Sequence, residues 1–387
     1  MISRDSITYK IFDSVEGIKS IKEFWVSNQW HQWTDFDYYI NIVIHEIGVL
    51  KPYIIVVFED QNPIFLLIGN ILENDYQFKI GYKSILKIKT NYLEIMYGGI
   101  LGDQSPAVCR ETVYFIKNIL TKEKIDYVFF RHLDINSNLY KAIKKFGGIL
   151  STGRFDVANP HLYMDIPESY EKFLKTLKLN ERKNIKRYAR KLESDLIGKI
   201  EIKFYQSLED IDRIMEDVEE IATKTYQSKL GVTMINDRDT RKRIQFELQN
   251  SRLLVWVLYI EEKPVSYWTG LLYKKSILGS TMGYLQEYSQ YRPGLYLMVK
   301  MIAYFCGSDR FCKFDFGFGD ADYKREYAST VSIESNAFIY SLTLKGFLFN
   351  ILGTINRVAL LLYRKLAVRF KKVRRIKKKS RDRLINT

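Results

Sequence analysis

The sequence predicts a mixed α/β fold in which one strand-and-helix unit is written twice and followed by a basic helical tail. Three observations carry that expectation. The stretch 252–285 is apolar, β-branched and aromatic, and is interrupted at Glu262-Lys263 and at Lys274-Lys275-Ser276, the pattern of three antiparallel strands. Segments with helical spacing flank it, so strands and helices alternate along the chain. The first half then repeats the same order of strand, turn, loop and helix.

From the N-terminal side, "YIIVVFEDQNPIFLLIGNIL" (53–72) is a strand, a short acidic turn and a proline that opens the next strand, as is "LLVWVLYIEEKPVSYWTGLL" (253–272). The segment 98–134 gives loop, helix, strand and a terminal Asp, and 283–320 gives the same. The copies meet near "RFDVANPHLYMDIP" (154–167), which divides the chain into 1–160, 161–343 and a tail at 344–387.

In the second copy a charged amphipathic helix is expected over 171–193 and a strand over 199–206. Ile211, Ile214, Met215, Val218 and Ile221 then recur at helical spacing, and 237–250 reads as another helix. After the three strands come a polar loop "QEYSQYRPG", an apolar helix "LYLMVKMIAYF", a short strand "FCKFDFG", a helix beginning near Asp320 and a final strand "ESNAFIYSL" (334–342). A strand that leads through a loop into a helix gathers unpaired N–H groups and the helix dipole, a natural anion site.

A chain of 387 residues with 47% hydrophobic content supplies the cores of about two domains. Its net charge of +15 is concentrated, because 344–387 alone holds seven Lys, seven Arg and one Asp. The helix 171–193 adds nine basic against three acidic residues, which leaves the rest of the body slightly acidic. That distribution argues against a broad nucleic-acid face. No signal-length apolar segment opens the chain and no run of ~18 uncharged apolar residues occurs, so a cytoplasmic location is expected. Cys109, Cys306 and Cys312 lack paired spacing and His31, His45, His132 and His161 are scattered; packing roles are expected for them, with no disulfide and no metal site.

Asp315-Phe316-Gly317 has the spelling of the magnesium-binding turn of protein kinases, but no glycine-rich loop, strand lysine or His-Arg-Asp loop precedes it, which excludes that chemistry. Arg292-Pro293-Gly294 opens an apolar helix. It reads either as an ordinary proline-started helix or as a pyrophosphate cradle, with proline presetting the first turn, glycine removing bulk and arginine adding charge. Asp315, at a strand end, is a general base or a turn cap, and Tyr323 and Lys324 follow on the next helix. Tyrosine can protonate a leaving thiolate and lysine can stabilise an oxyanion or a phosphate. On the helix 171–193, Arg182, Lys186 and Arg187 form either a solvated face or a clamp on substrate phosphates.

"NERKNIKRYARKLE", "YRPGLYLMVKMIAYF" and "KFDFGFGDADYKREYAS", in that order and spacing, resemble the FemAB-like branch of the GNAT acyltransferases, in particular the CelD/BcsL-type proteins of bacterial polysaccharide clusters. The resemblance covers about 160–342, more weakly 20–135, and implies two GNAT folds in tandem with the acyl donor in the second. It implies that Arg292, Pro293, Gly294 and Leu295 hold the pyrophosphate of acyl-CoA, acetyl-CoA above all. It further implies that the strand carrying Gly283 and Tyr284 offers N–H groups to the thioester carbonyl, and that Lys324 contacts acceptor phosphate or the tetrahedral intermediate. Leu285 stands where the family commonly has aspartate and Tyr226 where it has tryptophan, so no general base is assigned.

Three functions follow as expectations. The first is acyl-CoA-dependent N-acylation of an amine-bearing sugar or lipid-linked precursor in surface-polysaccharide synthesis. The second is FemAB-type aminoacyl transfer from tRNA to a cell-wall precursor, and the third a non-catalytic scaffold. The tail, with apolar residues from Leu344 to Leu362 at helical spacing ahead of "RFKKVRRIKKKSRDR", is expected to lie on an anionic membrane at the inner face of the plasma membrane, or else to bind RNA or pack on its own protein.

Overall fold

A computed structural model of the chain describes residues 7–80, 83–224, 237–319 and 321–385. The first elements are β1 (Ile7–Phe12), α1 (Val15–Lys19), α2 (Lys22–Asn28), α3 (Phe36–Asn41), β2 (Val49–Glu59), β3 (Asn62–Ile80), β4 (Lys83–Gly102), α4 (Pro106–Lys122), β5 (Tyr127–Asp134) and α5 (Asn138–Phe146). There follow β6 (Asn159–Asp165), α6 (Tyr170–Thr176), α7 (Leu179–Asp195), β7 (Ile200–Tyr205), α8 (Ile211–Thr223), α9 (Arg238–Gln249), β8 (Leu253–Ile260), β9 (Lys263–Tyr273) and β10 (Ser276–Tyr284). The chain closes with α10 (Pro293–Phe305), β11 (Lys313–Asp315), α11 (Asp322–Tyr327), β12 (Thr330–Tyr340) and α12 (Leu344–Ile385).

The repeat written in the sequence is present as two GNAT-like units of mixed α/β architecture. β2 and β3 turn at Asp60-Gln61, and β8 and β9 at Glu261-Glu262, all four residues with positive φ, the geometry of a two-residue hairpin. The second turn thus lies one residue before the expected Glu262-Lys263. Pro63 and Pro264 each fall beside a register shift, where a missing N–H is tolerated inside a sheet. In both units the third strand of the meander pairs in parallel with the strand beyond its helix: β4 with β5 across α4, and β10 with β11 across α10.

One unit comprises 1–158 with 333–387 and the other 159–332. This corrects the expected boundaries. The strand "ESNAFIYSL", assigned from its position to the second copy, pairs antiparallel with β5 from Glu334 to Tyr340 and completes the first sheet. In the second unit the corresponding place beside β11 is taken by β6, antiparallel over Tyr163–Asp165, and the order there is β6-β11-β10-β9-β8-β7. Of the two strands, β12 is thus the one that changes sides, whereas β6 stays with the second copy, where the sequence division at 161 puts most of it.

The helix expected over 171–193 is broken into α6 and α7 at Leu177-Lys178, both extended. The sheet of the second unit carries a core on each face. Phe173, Ile185, Leu192, Trp268, Phe305 and Phe314 lie on the α7 and α10 side, and Ile214, Val218, Ile221, Val257 and Tyr267 on the α8 and α9 side.

In the first unit α12 docks by one face. Phe349 is buried among Tyr76, Tyr127 and Tyr340, Lys345 pairs with Asp126 at 2.9 Å, and Asn350 donates to the Leu150 carbonyl at 2.6 Å. Its first segment, Leu344–Tyr363, is long and apolar enough to cross a membrane, with a mean hydropathy of 1.4. The uncharged-run criterion of the sequence passes over it because Lys345 and Arg357 interrupt it.

Candidate active site

In the second unit β10 and β11 pair only over Ser276–Leu278 with Lys313–Asp315, while β10 continues to Tyr284 beside β9. A register shift between Gly279 and Thr281 marks the place where β10 runs on. Strand backbone beyond the last paired residue keeps hydrogen-bonding capacity on that edge, so an opening forms there with N–H groups along one side.

The segment after β10 turns into α10 through Arg292, held in the left-handed region at φ 50, ψ 56. Pro293 is the first helical residue, and the first bond of the helix runs from the Tyr296 N–H to the Arg292 carbonyl at 3.1 Å. The N–H groups of Gly294 and Leu295 therefore lie ahead of the helix's own ladder, at the positive end of its dipole. A Cβ on Gly294 would meet nothing nearer than Tyr284 Cδ1 at 3.5 Å, so the glycine leaves a shallow open cradle beside β10. Tyr284 and Gly294 are thus neighbours, with Gly283 preceding Tyr284 on β10 and Arg292 and Pro293 preceding Gly294 at the helix start. Leu295 faces elsewhere: it lines a cavity of about 310 Å³ between α7 and α10, with Tyr188, Tyr296 and Val299.

α7 brings its basic residues to the same end of α10. The guanidinium groups of Arg187 and Arg292 both stack on the ring of Tyr188, at 4.7 and 4.6 Å from its centroid. Two like charges on one ring repel, and an anion between or beside them would relieve that repulsion. Arg182, in the first turn of α7, has its Nε buried without a hydrogen-bond partner. Lys186 is exposed on the same helix. The donors present fit a pyrophosphate. Burial, with Glu181 and Asp322 adding to it, holds the Glu326 carboxyl above its usual range against the opposing pull of Lys178 and Arg292.

The turn after β11 carries the second cluster. Gly317 and Gly319 have φ of 71 and 90, the left-handed region that glycine enters without strain. Gly317 N–H donates to Asp315 Oδ1 at 2.7 Å, and buried Lys324 donates through Nζ to the carbonyls of Gly317 and Phe318 at 3.1 and 2.8 Å. The structure thus brings Asp315 and Lys324 to one turn. Tyr323 points the other way, its ring set edge-on to Phe316 in the α10-side core.

His161, expected to be a packing residue, is part of this cluster. Its Nε2 lies 2.7 Å from Asp315 Oδ1 and its Nδ1 2.9 Å from the Tyr163 hydroxyl, and it is 1% exposed. The sequence carries a signal for it, since His161 and Tyr163 stand two apart and so share one face of a strand, but they fall in the segment 154–167 where the two copies meet. Tyr226 lies outside the described residues.

Residues 180–325 match the family model described as an acetyltransferase (GNAT) domain, a span running from α7 into α11. They form a GNAT-type acyltransferase domain. The fold is similar to that of FemX, at 10% identity and a TM-score of 0.57, covering 89% of this chain and 100% of that one. It is also similar to a conserved protein of unknown function from Bacteroides thetaiotaomicron VPI-5482, at 10% identity and a TM-score of 0.50, covering 86% and 100%. No curated protein matches the sequence.

Proposed function

We propose that the chain is an acyl-CoA-dependent N-acyltransferase acting on the amine of a sugar or lipid-linked precursor in bacterial surface-polysaccharide synthesis. The observation that carries the reading is the cradle at the start of α10: Arg292, Pro293 and Gly294 beside Tyr284, with Arg187 and Arg292 both over the ring of Tyr188. A pyrophosphate placed there would set its pantetheine arm along β10 past Gly283, where backbone N–H groups can polarise a thioester carbonyl. In this reading Lys324, at the turn opposite, stabilises developing negative charge, and Arg182 and Lys186 hold acceptor phosphate. Asp315, already bonded to His161 and Gly317, positions a base.

The test is calorimetric. Acetyl-CoA should bind with micromolar affinity, and Arg292→Glu should weaken that binding at least about tenfold, roughly 1.4 kcal/mol. Absence of any binding by acetyl-CoA or longer acyl-CoAs would sink the reading.

A FemAB-type transfer from aminoacyl-tRNA is the second reading, favoured by the likeness of fold to FemX and by the nine basic residues over 171–193. Protection of a charged tRNA, with no acyl-CoA binding, would select it. For location we propose a cytoplasmic protein held at the inner face of the membrane by α12, whose exposed Phe347, Leu348, Ile351 and Ile355 precede the polybasic run.

A further inference from the structure

We infer that Tyr163, His161 and Asp315 form a proton-accepting relay for the amine acceptor, with His161 as the base, Tyr163 as the group that meets the acceptor and Asp315 as the positioning residue. The inference deepens the proposed acyl transfer and rests on it.

The geometry comes from two neighbouring strands. On β6, His161 and Tyr163 alternate with Leu162 and Met164, which enter the α10-side core. The pairing of β11 with β6 sets Asp315 opposite Tyr163, so all three polar side chains stand on the other face. A carboxylate only accepts hydrogen bonds, so the 2.7 Å contact assigns the imidazole proton to Nε2. Neutral Nδ1 then accepts from the Tyr163 hydroxyl at 2.9 Å. The order is carboxylate, imidazole, hydroxyl, the arrangement by which a buried acid fixes the tautomer of a base that deprotonates a hydroxyl.

Burial and place both favour use over mere packing. His161 and Asp315 are 1% and 8% exposed, whereas Tyr163 is half-buried, the most accessible of the three. A purely structural pin between two strands gains little from an ionisable pair, because apolar side chains of similar size pack as stably. Asp315 is also the last β11 residue paired with β10, at the edge of the opening described above. The turn it caps lies against the irregular part of β10: a Cβ on Gly317 would stand 3.3 Å from the Gly279 carbonyl oxygen. Among the described residues, the charged groups about the relay include Asp315 and Lys313 from β11, Asp165 on the same face of β6 as Tyr163, and Lys324 from α11. Lys313 Nζ sits 3.7 Å over the Tyr163 ring, a position that favours negative charge on the phenol oxygen.

The step balances. As the acceptor nitrogen bonds to the acyl carbon, Tyr163 takes the proton that the nitrogen loses and passes its own to His161 Nδ1. The carbon–sulfur bond breaks with its electron pair on sulfur, and the imidazolium returns its proton to that sulfur. The products are an amide and a free thiol.

The experiment uses the full chain, acetyl-CoA and a UDP-linked amino sugar as amine probe, together with NMR of protein carrying 15N-histidine. Tyr163→Phe and His161→Gln should each lower kcat roughly 10²-fold while leaving the Kd for acetyl-CoA within about twofold, and His161→Gln should remove the acid limb of the kcat profile. In the spectra, the resonance lost in His161→Gln should show a protonated Nε2 and should shift in Tyr163→Phe. A Tyr163→Phe enzyme with unchanged kcat and pH profile, even at a lowered Tm, overturns the relay and leaves a structural pin. If the wild type neither binds acetyl-CoA nor acylates the probe, the functional reading has failed and the spectra still decide: an imidazole whose Nε2 carries no proton, or one that ignores Tyr163→Phe, overturns the relay on its own.

Discussion

Lys324 directs its ammonium at two carbonyls of the turn that follows β11, and it is 8% exposed. Its replacement by methionine keeps the length and removes the donors, so two backbone acceptors lose their partner at a cost of about 1–3 kcal/mol. A fall in Tm is therefore expected whatever the chemistry. The proposed catalytic part is separated from it by assaying well below the lowered Tm: Lys324→Met should then still transfer at least about tenfold more slowly, about 1.4 kcal/mol in the barrier, and full activity under those conditions would leave Lys324 a strut only. The residues at the start of α10 were legible because proline and glycine leave local marks at a helix start. His161 and Asp315 were not legible as a pair. They lie 154 residues apart, and a lone histidine carries no spacing that points to its partner.

At the scale of elements, α6 and α7 show why a correct periodicity can still misplace a helix. At about 100° per residue Phe173 and Leu177 share one face of a straight helix, whereas Ile185 and Leu192 share a face roughly a quarter turn away. The break at Leu177-Lys178 resets the direction so that all four are buried. Nothing in the composition of 171–193 marks that break, because neither proline nor glycine is present. It is the α7 segment after the break that brings Tyr188 and Arg187 to the N-terminus of α10. There Gly294 offers a test that separates ligand from fold. An alanine would meet only ordinary contacts at 3.5 Å from Tyr284 and 3.9 Å from Ser266, and alanine favours helix over glycine by up to about 1 kcal/mol. Gly294→Ala should leave Tm unchanged or slightly raised. If the cradle holds a pyrophosphate, the same methyl group should weaken acetyl-CoA binding at least about tenfold by titration, roughly 1.4 kcal/mol; unaltered affinity would show that no phosphate approaches this backbone.

Across the whole molecule the repeat was readable from the sequence, but the exchange that gives β12 to the first unit was not, since only pairing tells which unit a strand of the same grammar joins. The same exchange fixes what α12 can do. Because β12 belongs to the first unit, α12 starts from that unit's edge, and close contacts hold it there: a Cβ on Gly346 would stand 2.3 Å from the Ser341 carbonyl and one on Gly353 2.7 Å from the Tyr340 hydroxyl. Phe347, Ile351, Ile355 and Leu362 fall within about 80° on the helix surface, away from the docked face of Phe349 and Asn350, and all four are exposed. An exposed apolar stripe followed by a run of Lys and Arg is the composition of a helix that lies in an anionic interface, each basic residue near the surface contributing about 1 kcal/mol at low screening. Full-length protein should therefore float with vesicles containing phosphatidylserine and be released as salt shortens the Debye length. Deleting 371–387 should cut that binding at least about tenfold without moving Tm, since the docked face is left intact, with about 1 kcal/mol lost per basic residue removed from the surface. Ile351→Glu should do the same through the apolar half of the contact. Vesicle binding that persists in both variants would refute the interfacial role, and a full-length chain that resists extraction by alkaline carbonate would instead show Leu344–Tyr363 crossing the bilayer.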